Sequence, residues 1–229
     1  MHDTAMEFAQ KFFETYAPKA KRLTIVDVGA QDICGSIRSV APPDNTYIGV
    51  DFVAGKGVDV IIDDPYSLPF ADESIDICVS SSCFEHSEFF WLSFNEVLRI
   101  LKPNGLLYLN VPSNGQFHRY PVDCWRFYPD SGTALQNWGR RSGYPVVMLE
   151  SFVGLQKGDI WNDFVAVFLK DAAKVDLYPA RMLHNFRNVL NGKLNESEGF
   201  INPFAPSQDQ NAHRKLKEIL GFINKTVNG

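Results

Sequence analysis

The chain has 229 residues, 45% of them hydrophobic and 21% charged, and a formal net charge of −5. That length and apolar content suit one large domain, or one domain with an appendage, around a sizeable core. The acidic balance argues against a nucleic-acid partner, which needs clustered Lys and Arg, and no apolar run approaches the roughly 20 residues of a membrane span.

Residues 4–16 carry Phe8, Phe12 and Phe13 at helical spacing, which predicts an amphipathic helix against one side of a sheet. Residues 23–29 and 46–51 read as strands one and two, 58–62 as a short third, and 75–80 as a fourth. In residues 89–101, Phe90, Phe94, Val97, Leu98 and Leu101 recur at steps of three and four, a helix ended by Lys102-Pro103-Asn104-Gly105. Residues 106–111 are nearly all apolar, as in a strand buried on both faces. Alternating strands and helices predict a parallel, doubly wound α/β sheet. Residues 130–141 follow as a helix behind Pro129. The strands at 146–150 and 164–169 have too short a connection for a helical crossover, so they are expected to pair antiparallel. Beyond 175 the expectation is a helix at 181–190, a loop at 191–210 and an amphipathic helix at 213–224. The N-terminus lacks the charge and apolar run of a secretory signal, and Cys34, Cys78, Cys83 and Cys124 are not spaced as disulfide or zinc motifs. Reduced thiols and a cytoplasmic location are expected.

Asp27-Val28-Gly29 closes the first strand and Asp51 closes the second. A glycine there lets the backbone pass close to a ligand, and a carboxylate at the next strand tip accepts bonds from ribose hydroxyls. The pair predicts a nucleoside site. Further segments extend the pattern: Asp64-Pro65-Tyr66-Ser67-Leu68-Pro69-Phe70, then Asp72-Glu73-Ser74-Ile75-Asp76, then Phe84-Glu85-His86, then residues 96–105 from Glu96 to Gly105. Taken in order over residues 23–112, they resemble the class I S-adenosylmethionine-dependent methyltransferases. That resemblance implies a Rossmann-like, mostly parallel seven-stranded sheet with an antiparallel edge strand. It implies a methyltransferase domain over residues 1–174, with a C-terminal loop-and-helix extension over 175–229 packed on it. It implies S-adenosyl-L-methionine as cofactor, held by Asp27, Gly29, Gln31, Asp51, Phe52, Asp64, Pro65, Ser80 and Ser81.

The family's glycine-rich motif is incomplete, because Gln31 and Ile33 stand where further glycines are usual. Side chains there obstruct a pyrophosphate, so the departure counts more against an NAD(P)-dependent oxidoreductase than against methyl transfer. Methyl transfer asks for in-line positioning and a general base. Ser80, Ser82, Glu85, His86 and the loop at 114–127 are candidates at the tips of strands four and five. His118 is the expected general base, oriented by Asp123, with His86 as a second catalytic candidate. Arg119, Tyr120 and Arg126 are expected to hold a hydroxylated or anionic acceptor, either a small molecule or a glycan-like one. No metal is expected, since His86, His118 and Asp123 lack a compact ligand spacing. A non-catalytic binding module on the same fold is the competing reading. The segment after 175 is a candidate lid or homodimer contact.

Overall fold

Phe8, Phe12, Phe13 and Tyr16 fall on one stripe of α1 (Asp3–Tyr16), and all four are buried. The computed structural model describes residues 3–17, 22–155, 157–158, 160–186, 188–206 and 208–227. In it α1 lies on a sheet, with the Phe8 ring 5.3 Å from Phe152 and Phe12 4.9 Å from Tyr108. The strands and helices that follow are β1 (Thr24–Val28), β2 (Thr46–Asp51), β3 (Val60–Ile61), β4 (Ile75–Ser81), α2 (Phe90–Ile100), β5 (Leu101–Pro112), α3 (Ser131–Arg141), β6 (Val147–Gly154), β7 (Asp163–Leu169), α4 (Met182–Asn185), β8 (Val189–Leu194) and α5 (Gln208–Val227).

The strands form one sheet in the order β3-β2-β1-β4-β5-β7-β6-β8. β3 to β5 run parallel. β7 slots between β5 and β6, antiparallel to both, as the short connection requires. Every residue of β4, β6 and β7 is buried, the pattern of strands covered on both faces. Alternation along β1 and β5 divides the core. Val26, Val28, Leu107 and Leu109 join Phe94, Leu98 and Leu135 under α2 and α3. Ile25, Leu106 and Tyr108 join Phe8 and Phe12 under α1. None of the described helices is long and apolar enough to cross a membrane.

The crossover from β1 to β2 holds a 3-10 turn, Ile37–Ser39, ahead of Pro42 and Pro43. Two expectations change. The sheet has eight strands rather than seven: β8 pairs antiparallel with β6, from Gly154–Val189 to Glu150–Leu194. It occupies part of the segment expected to be loop, so the chain after 174 contributes to the sheet itself. The helix expected at 181–190 is a single turn, Met182–Asn185. Its start is pinned by buried Glu150, which accepts from the Met182 and Leu183 N–H groups and from the Tyr16 hydroxyl. Pairing with the open edge of β6 outweighs the weak helical period of the residues beyond.

Candidate active site

β1 and β4 are neighbours whose connections leave in opposite directions, and ligands bind outside the carboxyl ends of strands at such a point. Gly29 sits there at φ +84°, with the Cys83 side chain so close that a Cβ on Gly29 would lie 2.5 Å from the Cys83 Cβ. The Gly29 and Ala30 N–H groups both donate to the Val50 carbonyl (3.0 and 3.1 Å), which locks the turn onto β2. Across the gap, the Ser80 hydroxyl donates to the Val28 carbonyl at 2.9 Å. Ser81 is buried, and its Oγ has no partner among the described residues.

Asp51 ends β2 and is 8% exposed. Its Oδ2 accepts from the Gln31 N–H at 3.1 Å and its Oδ1 from the Val53 N–H at 3.3 Å. The Gln31 side chain lies over Gly55, where a Cβ would fall 2.7 Å from Nε2. Phe52 is half exposed. Asp64 and Pro65 lie on the surface, with Asp64 Oδ1 accepting from the Tyr66 N–H at 2.8 Å. Asp27 is turned inward, where the Tyr47 hydroxyl donates to its Oδ2 at 2.7 Å. Burial pushes its carboxyl up to about 7, against the opposing pull of Tyr47 and Arg38.

The loop after β5 brings a second group together. Asp123 accepts from both terminal nitrogens of Arg126 (2.6 and 2.9 Å) and from the His118 backbone N–H (2.7 Å). The Arg126 hydrogen bonds hold the Asp123 carboxyl down at about 2. The His118 ring meets Asp123 only at 3.4 Å, and its Nδ1 faces the Gln116 carbonyl at 3.2 Å. The His86 ring lies edge-on to His118 with centroids 4.9 Å apart, and His86 Nδ1 faces the Val122 carbonyl at 2.5 Å. Glu85 is 1% exposed, its Oε1 is 3.7 Å from His86 Nε2, and burial pushes its carboxyl up to about 8. The Cys124 and Trp125 N–H groups donate to the Glu85 carbonyl, fastening the loop to the tip of β4.

Arg119 and Tyr120 stand at the exposed end of that loop, where Arg119 Nε donates to the Pro121 carbonyl at 3.2 Å. Sequence reasoning missed Trp161 and Asn162. The Trp161 ring packs 4.9 Å from His118 and closes on Gly115, where a Cβ would lie 1.9 Å from it. Asn162 exchanges hydrogen bonds with Asn114, tying the loop to the start of β7. Nothing in the spacing of either residue marks it. They act here only because β7 lies beside β5.

Residues 10–109 match the family model described as a methyltransferase domain. A protein named "Uncharacterized methyltransferase" from Mycobacterium tuberculosis is 30% identical over 154 residues, covering 62% of this chain and 60% of that protein. One of the same name from Mycolicibacterium gilvum is 36% identical over 83 residues, 36% of this chain and 29% of that protein. The chain thus spans about 60% of the length of the Mycobacterium tuberculosis relative. Among solved structures, a Burkholderia thailandensis 1,6-didemethyltoxoflavin-N1-methyltransferase with bound 1,6-didemethyltoxoflavin and S-adenosylhomocysteine superposes with a TM-score of 0.55. It is 14% identical and covers 73% of this chain and 78% of that one, which establishes a common Rossmann-like fold.

Proposed function

We propose that this chain, whose residues 10–109 match the methyltransferase-domain family model, is an S-adenosylmethionine-dependent methyltransferase acting on a hydroxyl or amine of a small-molecule or glycan-like acceptor. The observation that carries the reading is the state of Asp51. A carboxylate offers about four lone-pair sites. Two of them are taken by the Gln31 and Val53 N–H groups, so two remain for a pair of ribose hydroxyls. The buried Ser81 Oγ at the tip of β4, which has no hydrogen-bond partner among the described residues, is a second fit for a ligand. Gly29 and Gln31 would face the methionine end, and Phe52, Asp64 and Pro65 the adenine.

When bound, S-adenosylmethionine supplies an electrophilic methyl group on a positively charged sulfur. The chain's own part is positioning and proton handling. His118 takes the acceptor's proton, with Asp123 positioning it through the backbone N–H and Trp161 packed on its ring. His86 lies beside it. Arg126 fixes Asp123 and faces the acceptor with Arg119 and Tyr120. We assign this activity to residues 1–174 and a homodimer contact to the extension, where α5 exposes Leu216, Ile219, Leu220 and Ile223. The four free cysteines fit a cytoplasmic protein.

Calorimetric titration with S-adenosylhomocysteine tests the reading. Binding is expected for the wild-type chain, and Asp51→Ala should weaken it at least about a hundredfold, the loss of two hydrogen bonds to a charged group. No binding at millimolar ligand, or undiminished binding by Asp51→Ala, overturns it.

A further inference from the structure

We propose that Glu85, His86 and His118 form a binding site for one divalent first-row transition-metal ion of the zinc class, at the tips of β4 and β5. One ligand atom from each of the three side chains lies within 4.8 Å of the others. Two imidazole nitrogens and a carboxylate oxygen are a donor set that suits such ions. Each side chain needs to move inward by under about 1 Å to reach the roughly 2.1 Å of a metal–nitrogen bond.

The hydrogen bonds around the cluster carry the inference further. His86 Nδ1 faces the Val122 carbonyl, which can only accept, so Nδ1 carries the hydrogen and Nε2 is a bare lone pair. Glu85 Oε1 lies 3.7 Å from that nitrogen, a separation that one ion bonded to both atoms can span. A histidine whose second nitrogen donates to a backbone carbonyl is also the usual arrangement around a ligating imidazole. His118 Nδ1 is turned to the Gln116 carbonyl at 3.2 Å, with Arg126 Nη2 3.4 Å from the same nitrogen. Glu85 Oε2 is buried and has no hydrogen-bond partner among the described residues, which leaves the carboxylate an unused acceptor. His86 and His118 are far apart in sequence. They meet because the Cys124 and Trp125 N–H groups fasten the loop to the Glu85 carbonyl.

Metal binding stands independently, but the ion's role rests on the methyl-transfer reading. The acceptor oxygen would coordinate the ion, its O–H bond would break with the electron pair kept on oxygen, and the proton would leave to water. In the metal-loaded protein the ion would take over the part given to His118 in the metal-free one, and His118 would serve as its ligand.

The test uses untagged, chelator-treated protein titrated with Co²⁺ and read by visible absorption. One Co²⁺ per chain with d–d bands is expected. Glu85→Gln and His118→Ala should each weaken binding about a hundredfold or more, beyond the loss typical of an outer-shell change. S-adenosylhomocysteine binding by both variants checks that they fold and that the cofactor reading survives by itself. X-ray absorption of the loaded wild-type protein should show two imidazoles and light oxygen donors without sulfur, a readout that needs no variant. Absence of d–d bands, bands that persist in folded variants, or a shell with sulfur or a single imidazole overturns the site while leaving the cofactor assignment to its own titration.

Discussion

Gly29→Ala separates what the turn after β1 needs from what a ligand needs. The added methyl meets two obstacles. At φ +84° an L-residue is strained by about 1–2 kcal/mol. The new Cβ also falls 2.5 Å from Cys83 Cβ and 2.6 Å from its Sγ. The backbone cannot easily retreat, because Gly29 and Ala30 are both bonded to Val50 O. Overpacking of this kind costs about 1–3 kcal/mol. The two terms together reach roughly 3 kcal/mol, a fall in Tm of about 6–12 °C for a chain of this size. Cys83→Gly removes both clashing atoms, so the double variant should recover the overlap term, about 1–3 kcal/mol, and keep only the backbone strain. Urea unfolding of the wild type, both single variants and the double variant measures the coupling. A Gly29→Ala cost below about 1 kcal/mol, or simple additivity with Cys83→Gly, would refute the close-packing argument.

The Asp123 carboxyl, held down at about 2, contributes stability that is complete above its unfolded value near 4 and is lost as pH falls toward 2, worth about 2 kcal/mol. The stability gap between wild type and Asp123→Asn should therefore shrink from pH 5 to pH 2 in urea titrations, and a constant gap would count against the Arg126 pairing. Asp27 has the opposite sign. Its folded value is raised to about 7, so its favourable contribution is complete below pH 4 and lost as pH rises through 7. Asp27→Asn should gain on the wild type between pH 5 and pH 8, and parallel pH profiles would show that the carboxyl is not desolvated.

The parallel half of the sheet was legible because short β-branched and apolar runs end at polar tips. β4 is buried at all seven positions, although Asp76, Ser80 and Ser81 are polar. The antiparallel pair was legible from connection length alone, since no crossover fits between β6 and β7. β8 was not legible. Its burial alternates weakly, and it becomes a strand only because β6 offers an unpaired edge. The proposed cofactor half of the site follows the chain locally, with Gly29 and Asp51 at adjacent strand ends. In the proposed acceptor half, the His118 ring stands 3.4 Å from Asp123, while Arg126, three residues on, takes both carboxylate oxygens.

By itself the sequence pointed to a nucleoside ligand. A glycine after one strand and an acid after the next, followed by four further segments in order, are short-range features that local backbone geometry obeys. Only the tertiary structure decided which side chains come together at the tips of β4 and β5. Glu85, His86, His118 and Trp161 come from three separate stretches of chain. They are joined by long-range anchors, the loop bonded to Glu85 O and Asn114 bonded to Asn162. Such contacts depend on strand order in the sheet, and no spacing along the chain records it.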